Sequence, residues 1–164
     1  MKREDTRNNL LHFLTIDLQR GTTNEIIAIP LPPDRNYLWA VSPEGARIAF
    51  FVRDEVKGWS FSILSIQNKN PEYSISVPGW EEFSDVSWRP DGRALLMVGD
   101  SRNRSAVLDV QLNGKTTVLW SPSKKGRFNW IVNAVPSPDD RHIAVTVGIL
   151  GASNAYKMTI PYAD

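Results

Sequence analysis

Cysteine is missing from this chain of 164 residues. That excludes disulfides, thiolate metal sites and a cysteine nucleophile, and it leaves the redox compartment open. Histidine is nearly missing, since His12 and His142 are the only two. A dominant charge is missing as well: 19 Lys plus Arg stand against 18 Asp plus Glu, for a net charge of +1. Such a balance supplies no long-range field to draw in nucleic acid or an anionic membrane. No apolar run approaches the roughly 20 residues that span a bilayer. The charged start Met1-Lys2-Arg3-Glu4-Asp5 does not fit a secretory leader, nor does Leu10 to Leu18, broken by His12, Thr15 and Asp17. The expectation is a chain without membrane insertion, cytoplasmic or, within a longer protein, periplasmic. No window keeps a 3.6-residue apolar period over three turns, so helix is not expected.

What is present is an ordinary globular composition, 41% hydrophobic and 23% charged, with six Trp. Large rings bury much area each and suit a protein of short strands. Three segments align without gaps: Leu38 to Phe50, Asp85 to Met97 and Asn133 to Val145. Their corner prolines, Pro43, Pro90 and Pro138, are spaced by 47 and 48 residues. Each unit runs a short strand into a Pro-acidic-Gly/Asp corner, then a second strand such as Ile48 to Val52. Third strands follow at Ser60 to Ile66 and Ala106 to Leu112, and fourth strands at Tyr73 to Val77 and Thr116 to Trp120. Proline fixes φ at the corner, the acid can accept backbone N–H bonds, and Gly45 and Gly92 supply positive φ. Asp140 stands where the third copy should have that glycine. A single Pro-Asp-Gly fits any hairpin, whereas three copies in register specify a repeat.

The flanks fit the same frame. Leu11 to Leu18 and Asn24 to Ile29 read as third and fourth strands of an earlier unit, and Asn154 to Ile160 as a last third strand. The predicted organisation is a mobile extension over 1–9 and one domain over 10–164. That domain divides into a half blade (10–30), two blades (37–78 and 83–121) and a partial blade (131–161), about thirteen strands.

The Ser-Pro-Glu-Gly-Ala-Arg-Ile-Ala-Phe and Arg-Pro-Asp-Gly-Arg segments resemble the TolB-type, WD40-like β-propeller repeat. The segment from Pro136 to Tyr156 resembles the last blade of bacterial propellers attached to protein kinases or winged-helix regulators. The resemblance implies an all-β fold, four-stranded antiparallel blades in a radial array, and use as an interaction platform. It carries no catalytic set. Thirteen strands fall short of a usual propeller, and open edges invite homo-oligomers.

Motifs for chemistry are sparse. No Gly-x-Ser-x-Gly elbow accompanies His12 or His142, and both read as solvent-facing strand residues. Two isolated His do not make a zinc site, and no calcium loop or phosphate cradle is present. The acidic pairs Glu81-Glu82 and Asp139-Asp140 read as turn or strand residues with their carboxylates apart. The expectation is no catalytic residues, no metal and no cofactor. The basic, aromatic stretch from Ser121 to Trp130 and the Pro78 to Phe83 connection lead into innermost strands. They suggest a binding face of Tyr37, Trp80, Arg127 and Trp130, suited to a protein or peptide partner. Trp39 and Trp88 read as core. The sequence therefore predicts a non-catalytic propeller module of a sensor or regulatory protein. The alternative is an accessory propeller of a hydrolase such as a prolyl-oligopeptidase-like peptidase.

Overall fold

The computed structural model describes residues 1–5, 7–30, 37–54, 58–102, 104–122, 130–149 and 152–159. Among these there is no helix, hence none long and apolar enough to cross a membrane. All fourteen elements are strands, and they pair only with chain neighbours. Blade one holds β1 (Lys2–Asp5), β2 (Leu10–Asp17) and β3 (Thr22–Pro30). Blade two holds β4 (Tyr37–Val41), β5 (Arg47–Asp54), β6 (Gly58–Ser65) and β7 (Pro71–Ile75). Blade three holds β8 (Glu82–Trp88), β9 (Ala94–Ser101), β10 (Arg104–Gln111) and β11 (Thr116–Trp120). Blade four holds β12 (Trp130–Pro136), β13 (His142–Ile149) and β14 (Ala152–Thr159).

The fourteenth strand is the one the sequence reading left out. Residues 2–5 are not a loose extension: Lys2 to Asp5 pair with Phe13 to Leu10 as β1. Met1 continues the ladder, its carbonyl accepting from the Leu14 N–H at 2.7 Å. Four successive charged residues carry no apolar alternation, so nothing local marks them as a strand. The neighbouring β2 supplies the pairing instead.

Alternation along the second strand of each blade builds the core. On β5, Ile48 and Phe50 pack with Leu11, Phe13 and Ile27 of blade one. Their neighbours Ala49 and Phe51 pack with Phe83, Trp88, Leu95 and Met97 of blade three. On β9, Leu96 and Val98 turn the other way and meet Ile131, Ile143, Val145 and Val147 of blade four. Blades two and three are thus apolar on two faces, a backward face toward the preceding blade and a forward face toward the next. The cores are the three seams between blades, which distinguishes radial stacking from a two-layer sandwich. Trp88 is core, as expected, and Trp39 is half-buried against the first seam.

The first strands of blades two, three and four lie side by side and exchange polar ties at the repeat interval. The Trp88 indole donates to the Ala40 carbonyl at 3.1 Å, and the Ser87 hydroxyl donates to the Ala134 carbonyl at 3.1 Å. The three corners are superimposable in their hydrogen bonds. Gly45, Gly92 and Asp140 donate from N to the carbonyls of Ser42, Arg89 and Ser137. All three take positive φ, at 71°, 67° and 58°. The expected glycine-like geometry at Asp140 is therefore realised with a side chain on it.

Candidate interaction face

One end of the stack carries the corners, and the other carries the entries into the first strands. Tyr37, Trp80 and Trp130 stand at that entry end on consecutive blades: Tyr37 and Trp130 open β4 and β12, and Trp80 lies two residues before β8. Arg127 lies outside the described residues.

The three aromatics are held differently. Tyr37 is a tie between blades one and two. Its hydroxyl accepts from Lys2 Nζ at 2.8 Å and donates to the Glu4 carboxylate, while the Lys2 ammonium sits 4.4 Å from the ring centroid. Burial, and then the Glu4 carboxylate, raise the phenol's pKa above its usual value. Its polar end is thereby occupied within the chain.

Trp80 is half-buried against the seam of blades two and three. One part of its ring lies on Gly99, where a Cβ would approach Trp80 Cε3 to 2.9 Å. The Arg104 guanidinium stands over the ring, 4.3 Å from its centroid, in cation–π geometry. Trp130 is 44% exposed, yet its ring rests on Gly148 so closely that a Cβ there would come within 2.4 Å. A large ring is thus seated on the backbone with much of its surface open. No hydrogen bond, ring contact or cation contact joins Tyr37, Trp80 and Trp130 to one another among the described residues. They share an end of the fold without forming one cluster.

Ionic pairs around Trp80 were not legible beforehand. Arg53 of β5 meets Glu82 of β8 at 2.7 Å, and Arg102 lies 3.5 Å from Glu81. Burial raises the pKa of Asp100, with a Ser105 hydrogen bond acting against it. The two glutamates meet different partners, Glu82 at the start of β8 and Glu81 just before it. Their cations come from two other strand ends, which only the fold brings near.

The histidines divide. His142 is half-exposed, with Nδ1 4.0 Å from Asp139. His12, expected to face solvent, is 8% exposed, with Nδ1 2.6 Å from Glu25 of β3 and Nε2 4.0 Å from Asp5 of β1. The correction has the same source as the extra strand: β1 flanks His12 and brings Asp5 with it. Among the described residues, no group of three His, Cys, Asp or Glu side chains could hold a metal ion.

No protein-family model and no curated protein matches the chain. Solved structures do. TolB from Acinetobacter baumannii superposes with a TM-score of 0.65 at 17% identity over 97% of this chain and 40% of that one. A putative TolB from Agrobacterium tumefaciens gives 0.61 at 12% identity over 95% and 59%. A structure from a study of two prolyl endopeptidases gives 0.63 at 14% identity over 99% and 26%. The chain spans less than two thirds of each of these structures. At such identities the likeness concerns the fold, and with the stacked sheets above it establishes that this chain is an arc of TolB-like β-propeller blades.

Proposed function

We propose that this chain is a non-catalytic interaction module whose strand-entry end, centred on Trp130 and Trp80, receives a protein or peptide partner, as in a sensor or regulatory protein. The supporting observation is the Trp130 ring, open over much of its surface yet fixed on Gly148. Aromatic anchors held in place before binding lose little entropy on docking, and Trp and Arg dominate interface energetics. Arg104 over Trp80 adds a cation beside the aromatic surface, which favours a peptide carrying acidic and aromatic or proline residues. Panning of a random displayed peptide library against the chain tests the reading. Enrichment of such peptides, lost in Trp130→Ala and weakened about tenfold in Arg104→Ala, is the expected result. Equal enrichment on the wild type and both variants overturns it.

The alternative, an accessory propeller beside a hydrolase, draws on the fold shared with the prolyl endopeptidase structure. It predicts a hydrolase domain encoded in frame or beside this chain, and the surrounding DNA decides.

A further inference from the structure

Arg47 closes the corner end of the second seam, between blades two and three. It leaves β5 opposite Ser65 and crosses to the next corner. There Nη2 donates to the Gly92 carbonyl at 2.8 Å, and the guanidinium carbon stands 4.8 Å from the centroid of the Trp88 ring. Glu44, from the same corner as Arg47, meets the guanidinium at 2.7 Å. One repeat later the arginine is gone. Ala94 stands opposite Gln111 as Arg47 stands opposite Ser65. The carboxylate is kept, since Asp91 takes the place of Glu44 directly after the corner proline. A second carboxylate is added: Asp109 falls where blade two has the core residue Ile63, two residues beyond the matched pairs Phe51–Phe61 and Val98–Val107. In place of the long side chain there is a cavity of about 490 Å³, with Arg89, Asp91, Arg93, Ala94, Asp109 and Gln111 in its walls. Blade three has a neighbouring blade on each side, and none of these residues belongs to the first or the last blade.

We infer that this cavity receives a guanidinium from outside the chain, carried on an arginine side chain of a protein partner. Two observations select that occupant. The repeat supplies the template, because the second seam holds an arginine at the same register with the matching carboxylate beside it. The charges also call for a cation. Arg89 divides its guanidinium between Asp109 and Asp140, and the Asp91 carboxylate accepts only a backbone N–H, that of Arg93. Three carboxylates thus stand against Arg89 and the exposed Arg93. A planar guanidinium pairs with carboxylates at two points, which an ammonium does not copy. Pro136 stands where the second seam has Trp88, so the added carboxylate of Asp109 takes over the attraction that the ring supplies to Arg47. The cavity lies at the corner end, away from Trp80 and Trp130, and does not rest on the peptide-binding reading. A chain that selected peptides but bound no guanidinium would sink only the present inference.

Titration of the full chain with N-acetyl-arginine amide, followed by the backbone amide NMR signals of Ala94 and Gln111, tests it. Saturable shifts in the millimolar range are expected. The citrulline analogue, neutral and of the same shape, should bind at least tenfold more weakly. Asp91→Asn keeps an acceptor for the Arg93 N–H but removes the charge, and should weaken binding about threefold. Glu72→Gln, the same loss of charge on the outer strand β7, should leave it unchanged. Arg93→Ala takes a cation from the rim and should tighten binding. Ala94→Arg restores the arrangement of the second seam and should abolish binding. Circular dichroism confirms its folding, and the Asp91 and Arg93 variants carry the test if it does not fold. Tighter binding of free arginine than of the blocked residue assigns the cavity to the amino acid and overturns the protein partner. The inference is also overturned by the absence of saturable shifts, by equal binding of the citrulline analogue, or by an effect of Asp91→Asn no larger than that of Glu72→Gln. Weaker binding in Arg93→Ala, the mark of an anion site, overturns it as well.

Discussion

Asp85 sits half-buried on β8, and its carboxylate accepts from the Ala134 N–H of the next blade at 3.0 Å. Burial raises its pKa above the ordinary 3.8, and the hydrogen bonds from Ala134 and Val86 offset only part of that. A raised carboxyl pKa means the folded chain binds this proton more tightly than the unfolded one. The charge on Asp85 therefore opposes folding at neutral pH, and the cost lifts as pH falls through the raised value. Asp85→Asn should thus compare more favourably with wild type at about pH 7 than at about pH 4, as read from urea unfolding at each pH. Asp85→Ala removes the acceptor as well, and should cost about 1–2 kcal/mol by stranding the Ala134 N–H in a seam. Asp5 and Asp139 behave oppositely. Hydrogen bonds, led by Asn8 and Ser137 respectively, lower their pKa values, so their contribution is present above the ordinary value and lost in acid.

Arg89 replaces the serine that two other corners use. In the first and third copies, Ser42 and Ser137 hydroxyls accept the N–H of Arg47 and His142. In the second copy, Arg89 instead reaches out, with Nε 2.9 Å from Asp140 and Nη1 3.0 Å from Asp109. Burial acts to lower the guanidinium's pKa, and hydrogen bonds to the two carboxylates outweigh it and raise it. Removing one partner of a pair this buried leaves an uncompensated charge. Arg89→Ala should therefore destabilise by about 3 kcal/mol in equilibrium unfolding. Asp140→Gly is the sharper test. It relieves the positive φ, worth about 1 kcal/mol, yet should still lose stability because the carboxylate goes with the strain.

At the scale of elements, legibility followed periodicity. The corners, the second strands and even the left-handed position of Asp140 were readable because three copies checked one another. β11 falls where it was placed, at Thr116–Trp120. β1 was unreadable because Lys-Arg-Glu-Asp carries no pattern, and its pairing comes wholly from β2. Misreading His12 as exposed was the same error seen from the neighbouring strand. The candidate face was half legible. Turn spacing located Tyr37, Trp80 and Trp130 at strand entries, but not that Lys2 and Glu4 occupy the tyrosine. Nor could it show that glycines at 99 and 148 serve as seats for the indoles. Gly148→Ala should push Trp130 off its seat, and a red shift in tryptophan emission would register the move.

For the whole molecule, stability is distributed over three seams that share blades but few contacts beyond nearest neighbours. Repeat arrays of this kind approximate a sum of nearest-neighbour interfaces. The middle seam holds the largest cluster, from Phe51 and Phe61 across to Leu95 and Met97, with Phe61 and Phe83 rings 5.6 Å apart. Phe61→Ala should cost about 3–5 kcal/mol. An equivalent truncation at the first seam, Leu11→Ala, should free blade one before the rest, and hydrogen exchange would show early opening confined to β1–β3.

Duplication yields interchangeable parts, yet of the three corners only the first keeps both the Ser and the Gly of the common pattern. The bond from Arg89 to Asp140 joins two departures from the common pattern, one in each of two adjacent copies. Neither residue is satisfied alone, since the arginine would keep only one of its two carboxylates, Asp109, and the aspartate would hold a strained backbone for nothing. Together they act as an address label. A chimera that shuffled the blades should tolerate exchange elsewhere and fail at this junction, so the order of the copies is written into the chain by its exceptions.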